Sequence, residues 1–230
     1  MIDFYTWTTP NGRKASILLE ELGLPYTAHA VDISKDEQFK PEFLKISPNN
    51  RIPAIVDQDA PGAPLSVFES GAILLYLADK TNQFIPQDIR GRNECLQWLF
   101  WQMGGLGPMA GQNHHFVQYA PEQLPYAIDR YVKETSRLYG VLNKHLSDGR
   151  EYICGDYSIA DMAAYPWVVP HERQRQDMSQ FPYLSSWFER IQNRPSTQKA
   201  YDIAKSINTA PTVDQNAKSI LFGQDAKTVV

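Results

Sequence analysis

Cysteine is scarce in this chain, with two residues, Cys95 and Cys154, among 230. Two cysteines cannot form the disulfide framework of a small secreted domain, and neither has neighbours spaced as a zinc site requires. A low cysteine content suits a reducing compartment, so we expect a cytoplasmic location. Because free cysteine is more often a small buried hydrophobic residue than a catalyst, no role is predicted for either residue.

Long apolar runs and an excess of positive charge are also missing. No uninterrupted apolar run approaches the roughly 20 residues that a bilayer-spanning helix needs, and the first residues do not resemble a secretory signal. The net charge is −4, whereas binding to nucleic-acid phosphates needs a basic surface. The sequence therefore predicts a soluble protein that binds a small ligand, with neither nucleic acid nor a membrane as a partner.

The first 81 residues carry the pattern of a small α/β domain. Aromatic and β-branched residues at 2–7 indicate a strand, and Thr8–Gly12 turns the chain into a helical pattern that ends at Gly23. Turn-rich residues then separate two short apolar runs, which indicates a hairpin. The predicted order is strand, helix, strand, hairpin and helix, at residues 2–7, 13–22, 26–31, 54–56 with 65–68, and 70–80.

Beyond residue 90 the pattern becomes helical. Helices are predicted at residues 94–103, 124–146, 158–168 and 184–194. Ser158 and Asp161 have the spacing of a capping box, in which each residue satisfies a backbone N–H at the start of a helix. We predict an all-helical domain over residues 90–207, followed by a loosely ordered tail, 208–230, that packs only locally near Ile220 to Phe222.

Pro53 lies between a polar loop and a predicted strand. A proline in this position is either trans at a sheet edge or cis in a tight turn, and base rates leave both open. In the cis form the N–H and C=O groups of Ile52 would point outward, where an extended peptide could pair with them as with a sheet edge.

Glu69 and Ser70 follow the last predicted strand and begin a helix. One interpretation is helix capping alone. The other is a binding site for the charged end of an amino acid, in which the free N–H groups and Ser70 bind a carboxylate and Glu69 binds an ammonium group.

Together, Asn50–Pro53 and Phe68–Ser70 resemble the N-terminal domain of the glutathione transferase superfamily. The resemblance covers nearly the whole chain and implies the glutathione transferase fold, a thioredoxin-like α/β N-terminal domain (residues 1–81) plus an all-α C-terminal domain. It implies that Ile52 pairs through its backbone with the cysteine of glutathione, that Pro53 is cis, and that Glu69 and Ser70 hold the γ-glutamyl end.

The resemblance also implies further glutathione contacts. Gln38 and Arg51 would flank the glycyl end, and Arg130 matches an arginine that contacts glutathione near the two-fold axis of a homodimer. Judged by sequence alone, Arg130 is an exposed helix charge near Asp129 and Glu134.

Many members of the superfamily place a tyrosine, serine or cysteine just after the first strand. Here that turn contains no cysteine, so the protein cannot form a mixed disulfide at this position. Thr9 and Asn11 lie instead at a predicted helix N-terminus, where their donors could stabilise the thiolate of bound glutathione and lower its pKa. Tyr5 is the less favoured alternative, because a tyrosine within a strand usually only donates a structural hydrogen bond.

The segment 97–116 resembles the nu-class proteins of the superfamily, whose activity is glutathione-dependent disulfide reduction with weak transferase activity. Its residues Gly104, Gly105, Gly107 and Pro108 predict an interruption of the helix. His114 and His115 do not indicate a metal site, because adjacent side chains point apart and no third ligand is suitably spaced.

The leading hypothesis is a cytoplasmic homodimeric disulfide-bond oxidoreductase that binds two glutathione molecules, or oxidised glutathione, per active site. It would reduce a small disulfide with the bound glutathione, with weak transferase or peroxidase side activity and no metal cofactor. Two alternatives remain open. One is a transferase that conjugates glutathione to electrophiles, and the other is a non-catalytic glutathione-binding regulatory protein.

Overall fold

The computed structural model describes residues 1–208, 215–225 and 228. It contains two compact units. The first unit comprises Met1–Leu74 and Gln198–Val230, and the second comprises Leu75–Thr197. The first unit therefore contains both the beginning and the end of the chain.

The first unit is built on a four-stranded mixed sheet. Its strands and first helix are β1 (Ile2–Thr6), α1 (Pro10–Leu22), β2 (Tyr26–Ala30), β3 (Ala54–Asp57) and β4 (Leu65–Phe68). The strand order is β2-β1-β3-β4, with β1 parallel to β2 and the other two pairs antiparallel. This arrangement confirms the predicted strand–helix–strand unit and the predicted hairpin, and it is the sheet of a thioredoxin-like domain.

The apolar face of α1 packs into the core of the first unit. Ile17, Leu18 and Leu19 are fully buried, and burial of a side chain of this size contributes about 2 kcal/mol. The helix begins at Pro10, earlier than the predicted residue 13, because Pro10 occupies the first turn, where no N–H is needed. It ends at Gly23, whose φ of 60° is the left-handed conformation that favours glycine.

Two further helices of the first unit precede and follow the hairpin. They are α2 (Pro41–Leu44), which follows a short 3₁₀ turn at Glu37–Phe39, and α3 (Ser70–Thr81), which runs on into the second unit. The start of α3 agrees with the predicted residue 70.

The second unit is helical apart from isolated bridges near residues 152–156. After α3 it contains α4 (Ile89–Trp101), α5 (Gly107–His114), α6 (Pro125–His145), α7 (Ile159–Val168) and α8 (Pro182–Gln192). The capping box is confirmed at the start of α7. Asp161 is fully buried there and accepts hydrogen bonds from the Ser158 amide and hydroxyl, the Ile153 amide and the Trp187 indole.

The predicted interruption at Gly104 to Pro108 is confirmed in part, because α4 ends at Trp101 and the next α-helix begins at Gly107. The chain remains helical through a π-helical turn, Gln102–Leu106, and Pro108 lies in the first turn of α5, where its missing N–H costs nothing. The glycines allow close packing instead, since a Cβ on Gly107 would lie 2.8 Å from Gln102 Nε2 and one on Gly111 would lie 3.2 Å from the Trp167 ring.

The two cysteines lie in the second unit, Cys95 on α4 and Cys154 in the segment before α7. Both are free thiols, and their side chains are hydrogen-bonded to each other.

A helix that the sequence pattern did not predict, α9 (Pro195–Ile207), carries the chain back to the first unit. Arg13 donates from Nη1 to the carbonyls of Ala200 and Tyr201 at 2.9 and 3.0 Å, and its guanidinium lies over the Tyr201 ring. Lys199 pairs with Glu20 at 2.6 Å. These contacts bind α9 to α1.

The predicted loose tail, 208–230, contains one more helix, α10 (Gln215–Phe222), which includes the apolar residues noted at 220–222. Residues 209–214, 226–227 and 229–230 of that tail lie outside the described part of the chain. In the part that is described, no helix has the length and apolar character that crossing a membrane requires.

Candidate functional site

The turn between β1 and α1 is held by its own side chains. Thr9 has an extended backbone and caps α1, since its Oγ1 accepts a hydrogen bond from the Gly12 amide at 3.1 Å. A hydroxyl that accepts here keeps its hydrogen for donation to another group. Asn11 follows in the first helical turn, half-buried, with a side-chain amide and a backbone N–H as donors.

Gly12 is required by close packing within this turn. A Cβ at this position would lie 2.4 Å from the Trp7 carbonyl oxygen and 2.6 Å from Thr6 Oγ1, so a larger residue would displace the turn. Asn208, just after α9, donates to Thr8 Oγ1 at 2.7 Å. The segment that carries Thr9 and Asn11 is thus fixed from two sides.

The loop before β3 ends in a cis peptide bond between Ile52 and Pro53, as the family resemblance implies. Ser47 Oγ donates to the Arg51 carbonyl at 2.8 Å, and Arg51 Nη1 donates to both oxygens of Asn50. The Ile52 side chain is buried with Val31, Phe43 and Ala54. The site needs only the backbone of Ile52, so burial of its side chain is compatible with the predicted role.

Glu69 and Ser70 lie beside this loop. The register pairs Ala54 of β3 with Phe68 of β4, so the residues just before β3 adjoin those just after β4. Asn49 Nδ2 donates to Glu69 Oε1 at 3.1 Å, which directly connects the two segments. Glu69 has a φ of 70°, and its carbonyl accepts from the Ile73 amide at the start of α3.

Lys14 is a site residue that the sequence analysis did not single out. Its side chain is 1% exposed, and its Nζ lies 3.4 Å from Ser70 Oγ. Burial lowers the pKa of Lys14 to about 7, and the nearby charge of Glu69 opposes that shift. A signal was present in the sequence, because Lys14 shares a helix face with Ile17 and Leu18 at spacings of three and four.

Gln38 is buried in the first unit, whereas Tyr5 is only half-buried. Gln38 is 2% exposed and donates from Nε2 to the Ile33 carbonyl, and its Oε1 is buried with no hydrogen-bond partner among the described residues. Tyr5 lies within β1 and stacks on His29 at a centroid distance of 4.8 Å. Burial raises the pKa of Tyr5. The position of Tyr5 favours a packing role over thiolate activation.

Arg130 and the histidine pair belong to the second unit. Arg130 lies on α6, where its Nη1 is 3.6 Å from Glu134 Oε2, and more than half of its side chain is exposed. His114 contacts the Tyr119 ring, and burial lowers its pKa. No group of three or more potential metal ligands occurs within the described residues.

The first unit therefore brings together three elements that the sequence pointed to separately. They are the turn at the start of α1, the loop before β3 and the start of α3. These elements supply hydrogen-bond donors from the N-termini of α1 and α3. They also supply the carboxylate of Glu69 and the backbone of Ile52. Such a set suits an extended peptide that carries a carboxylate, an ammonium group and a polar side chain.

Comparison with protein families gives matches in both parts of the chain. Residues 8–80 match the model "Glutathione S-transferase, N-terminal domain", and residues 111–195 match "Glutathione S-transferase, C-terminal domain". Among curated proteins, the disulfide-bond oxidoreductase YfcG of Escherichia coli is 56% identical over 202 residues, which cover 87% of this chain and 94% of YfcG.

Solved structures with similar folds contain glutathione. A glutathione transferase from Burkholderia graminis, with two glutathione molecules bound per subunit, is 47% identical, has a TM-score of 0.83 and matches over 87% of each chain. A glutathione transferase from Pseudomonas putida, with one glutathione disulfide bound per subunit, is 45% identical with a TM-score of 0.84. That match covers 88% of this chain and 91% of the other.

Proposed function

This chain belongs to the glutathione transferase family, and from that premise we propose that it is a glutathione-dependent disulfide-bond oxidoreductase. The observation that carries the proposal is the turn before α1, which has hydroxyl and amide donors at Thr9 and Asn11 but no cysteine. The reacting sulfur then comes from the ligand. The name of the 56% identical relative, a disulfide-bond oxidoreductase, supports the same reaction.

In this proposal one glutathione molecule lies in extended form along the first unit. The backbone of Ile52 pairs with its cysteine residue, with the cis Pro53 next to it. Glu69 binds the γ-glutamyl ammonium group, while Ser70 and the N-terminus of α3 bind the γ-glutamyl carboxylate. The remaining proposed contacts, at the glycyl end and near the two-fold axis, are Gln38, Arg51 and Arg130.

The reaction is two successive thiol–disulfide exchanges. The bound thiolate, stabilised by Thr9 and Asn11, attacks one sulfur of the substrate disulfide, and the other sulfur leaves as a thiolate that takes a proton from water. A second glutathione thiolate then attacks the glutathione sulfur of this mixed disulfide. The products are glutathione disulfide and a second reduced thiol, so two electrons pass from two glutathione molecules to the substrate.

The contents of two similar structures support two glutathione molecules per site. One contains two glutathione molecules and the other contains one glutathione disulfide, which are the reduced and oxidised forms of the same pair. A transferase that conjugates electrophiles would need an apolar pocket where the second glutathione lies.

We propose residues 1–81 as the glutathione-binding domain, residues 90–207 as the helical domain, residues 208–230 as the tail, and a homodimer with Arg130 near its axis. The free thiols of Cys95 and Cys154 suit the reducing cytoplasm. A gel-filtration mass near twice 26.2 kDa would support the homodimer.

A comparison of two activities on one preparation tests the proposed function. We expect turnover of hydroxyethyl disulfide with glutathione to exceed conjugation of 1-chloro-2,4-dinitrobenzene by at least about 100-fold, because the donors at the turn activate the thiol while a second glutathione occupies the other subsite. Faster conjugation would instead identify a transferase. Binding of glutathione without either activity would identify a regulatory protein.

Replacement of Glu69 with glycine should weaken binding much more than it changes stability. Glu69 has a φ of 70°, which costs a non-glycine residue about 1 kcal/mol and costs glycine nothing, so relief of this strain offsets the loss of the Asn49 hydrogen bond and of the negative charge near Lys14. We expect E69G to unfold at nearly the wild-type denaturant concentration and to bind glutathione at least tenfold more weakly, since the ammonium partner is lost.

Equilibrium unfolding and isothermal titration calorimetry would measure the two effects of E69G. Glu42→Gly, which removes an exposed acid of the same unit, serves as the binding control. Unchanged glutathione affinity in E69G would contradict the assigned role of the carboxylate.

A further inference from the structure

Lys14 occupies a position that is unusual for a charged side chain. It lies on the buried face of α1, and its side chain is 1% exposed. Lysine is almost never fully buried, because removing an ammonium group from water is costly. Met has a side chain of similar length and no charge, so an apolar residue could fill this space without that cost. Packing alone therefore does not explain a lysine here.

The ammonium group of Lys14 lies at the start of α3. Its Nζ is 3.4 Å from Ser70 Oγ, and Ser70 is the first residue of that helix. A helix N-terminus is the positive end of the helix dipole, so a cation is unfavourable there unless an anion joins it. Glu69 supplies negative charge nearby, and its Oε1 also accepts a hydrogen bond from Asn49. The Lys14 ammonium group and the N-terminus of α3 therefore both place positive charge beside the Ser70 hydroxyl, and Glu69 offsets part of it.

We propose that Lys14 is a positioning residue of the γ-glutamyl subsite, which orients the Ser70 hydroxyl and selects for the free carboxylate of the ligand's γ-glutamyl group. This inference rests on the proposed glutathione site. It adds a residue from α1 to a subsite that the sequence motif places entirely on Glu69 and Ser70.

The chemistry of the two side chains gives the orientation. When Lys14 is protonated its Nζ only donates, so it uses a lone pair of Ser70 Oγ, and the hydroxyl hydrogen of Ser70 points to another acceptor. A carboxylate at the start of α3 is such an acceptor. The charge of Lys14 acts through a buried region of low dielectric constant, where it strengthens the hydrogen bond from Ser70 to an anion more than to a neutral amide.

The experiment measures binding and unliganded stability of Lys14→Met by calorimetry and thermal unfolding. We expect K14M to bind glutathione about tenfold more weakly than wild type, while its unliganded melting temperature stays the same or rises, because a buried cation has been removed. Lys45→Met, which removes an exposed lysine from the same unit, should change neither quantity.

A ligand analogue separates positioning from a merely structural role. In wild type, glutathione with its γ-glutamyl carboxylate converted to an amide should bind about 100-fold more weakly than glutathione. In K14M the difference in affinity between glutathione and this amide analogue should fall to about 10-fold. The double variant K14M/S70A should bind glutathione no more weakly than S70A, because Lys14 acts through Ser70.

The outcomes are distinct for the inference and for the proposed function. If wild type binds glutathione and K14M binds it equally well, or keeps the full carboxylate-to-amide ratio, the inference is wrong while the glutathione site stands. If wild type does not bind glutathione, both are wrong. If K14M does not fold, Lys14→Gln replaces it, because glutamine keeps a donor to Ser70 without the charge. The ratio of its affinities for glutathione and for the amide analogue should be lower than in wild type, and an unchanged ratio would reject the inference.

Discussion

Asn11→Ala should lower the rate of hydroxyethyl disulfide reduction about 100-fold while glutathione still binds. Asn11 lies in the first turn of α1, next to the capping residue Thr9, where its amide donors and the helix N-terminus can stabilise a thiolate. Loss of one donor to a reacting anion typically costs on the order of 100-fold in turnover, or about 2.7 kcal/mol. Steady-state kinetics with saturating glutathione would measure it.

The ionisation of bound glutathione provides a second measurement on N11A. Thiolate absorbance near 240 nm, followed against pH, should show a higher pKa for the bound thiol in N11A than in wild type. Asn93→Ala, on the exposed face of α4, is the matched control and should retain wild-type turnover. Wild-type turnover in N11A would show that this side chain does not activate the sulfur.

Asp161→Ala should cause the largest loss of stability, about 3 to 5 kcal/mol in the free energy of unfolding. The carboxylate is fully buried and accepts hydrogen bonds from two amides, the Ser158 hydroxyl and the Trp187 indole. Alanine would leave these donors buried without an acceptor, and each such group costs about 1 to 3 kcal/mol unless the structure relaxes or water enters. Urea unfolding at neutral pH would measure the loss.

The control for this variant is Asp148→Ala. Asp148 is an exposed carboxylate paired with Arg150, and exposed ion pairs contribute little, so its denaturation midpoint should remain within error of wild type. Equal midpoints for wild type and D161A would show that the capping box does not hold the helical unit together.

The pH dependence of the Asp161 contribution has a definite sign. Burial raises the pKa of Asp161 to about 6 in the folded protein, whereas the pKa of an aspartate in the unfolded chain is about 3.9. The folded state therefore binds this proton more tightly, and the contribution of Asp161 to stability falls as the pH rises from about 4 to about 6. The difference in unfolding free energy between wild type and D161A should be larger at pH 5 than at pH 7.5.

Local chemistry explains most of what the sequence predicted correctly. The strands of the first unit follow from short runs of aromatic and β-branched residues, and the hairpin follows from the turn-rich residues between two of them. The capping box at Ser158 and Asp161 depends on residues three apart, so it is visible in one dimension. Features that depend on neighbours within a few residues were predictable.

Features that depend on distant residues were not predictable. Helix α9 is positioned by Arg13 and Glu20, which precede it by more than 170 residues, and no local pattern contains that information. Glycine and proline predict an interruption of the α-helix near Gly104 to Pro108, but they do not predict that a π-helical turn at Gln102–Leu106 bridges it.

The candidate site divides in the same way. The sequence identifies the segments around Pro53 and Glu69. The hydrogen bond from Asn49 to Glu69 was not predictable, because it depends on the register of β3 with β4. Lys14 was overlooked because a lysine in a helix is normally solvated, and only its burial against Ser70 distinguishes it. The role of Asn11 is a prediction that N11A tests, and the roles of Thr9, Gln38, Arg51 and Arg130 in binding glutathione also remain predictions.

Because α9 packs on α1, some contacts of the first unit can form only late in translation. Translation releases the sheet and α1 first, yet Ala200, Tyr201 and Lys199, which bind Arg13 and Glu20, are made only after the whole helical unit. Asn208, which holds Thr8 in the turn of the site, follows later still. The nascent first unit therefore acquires these contacts only after the helical unit has been made, and a fragment ending at residue 81 would lack all of them.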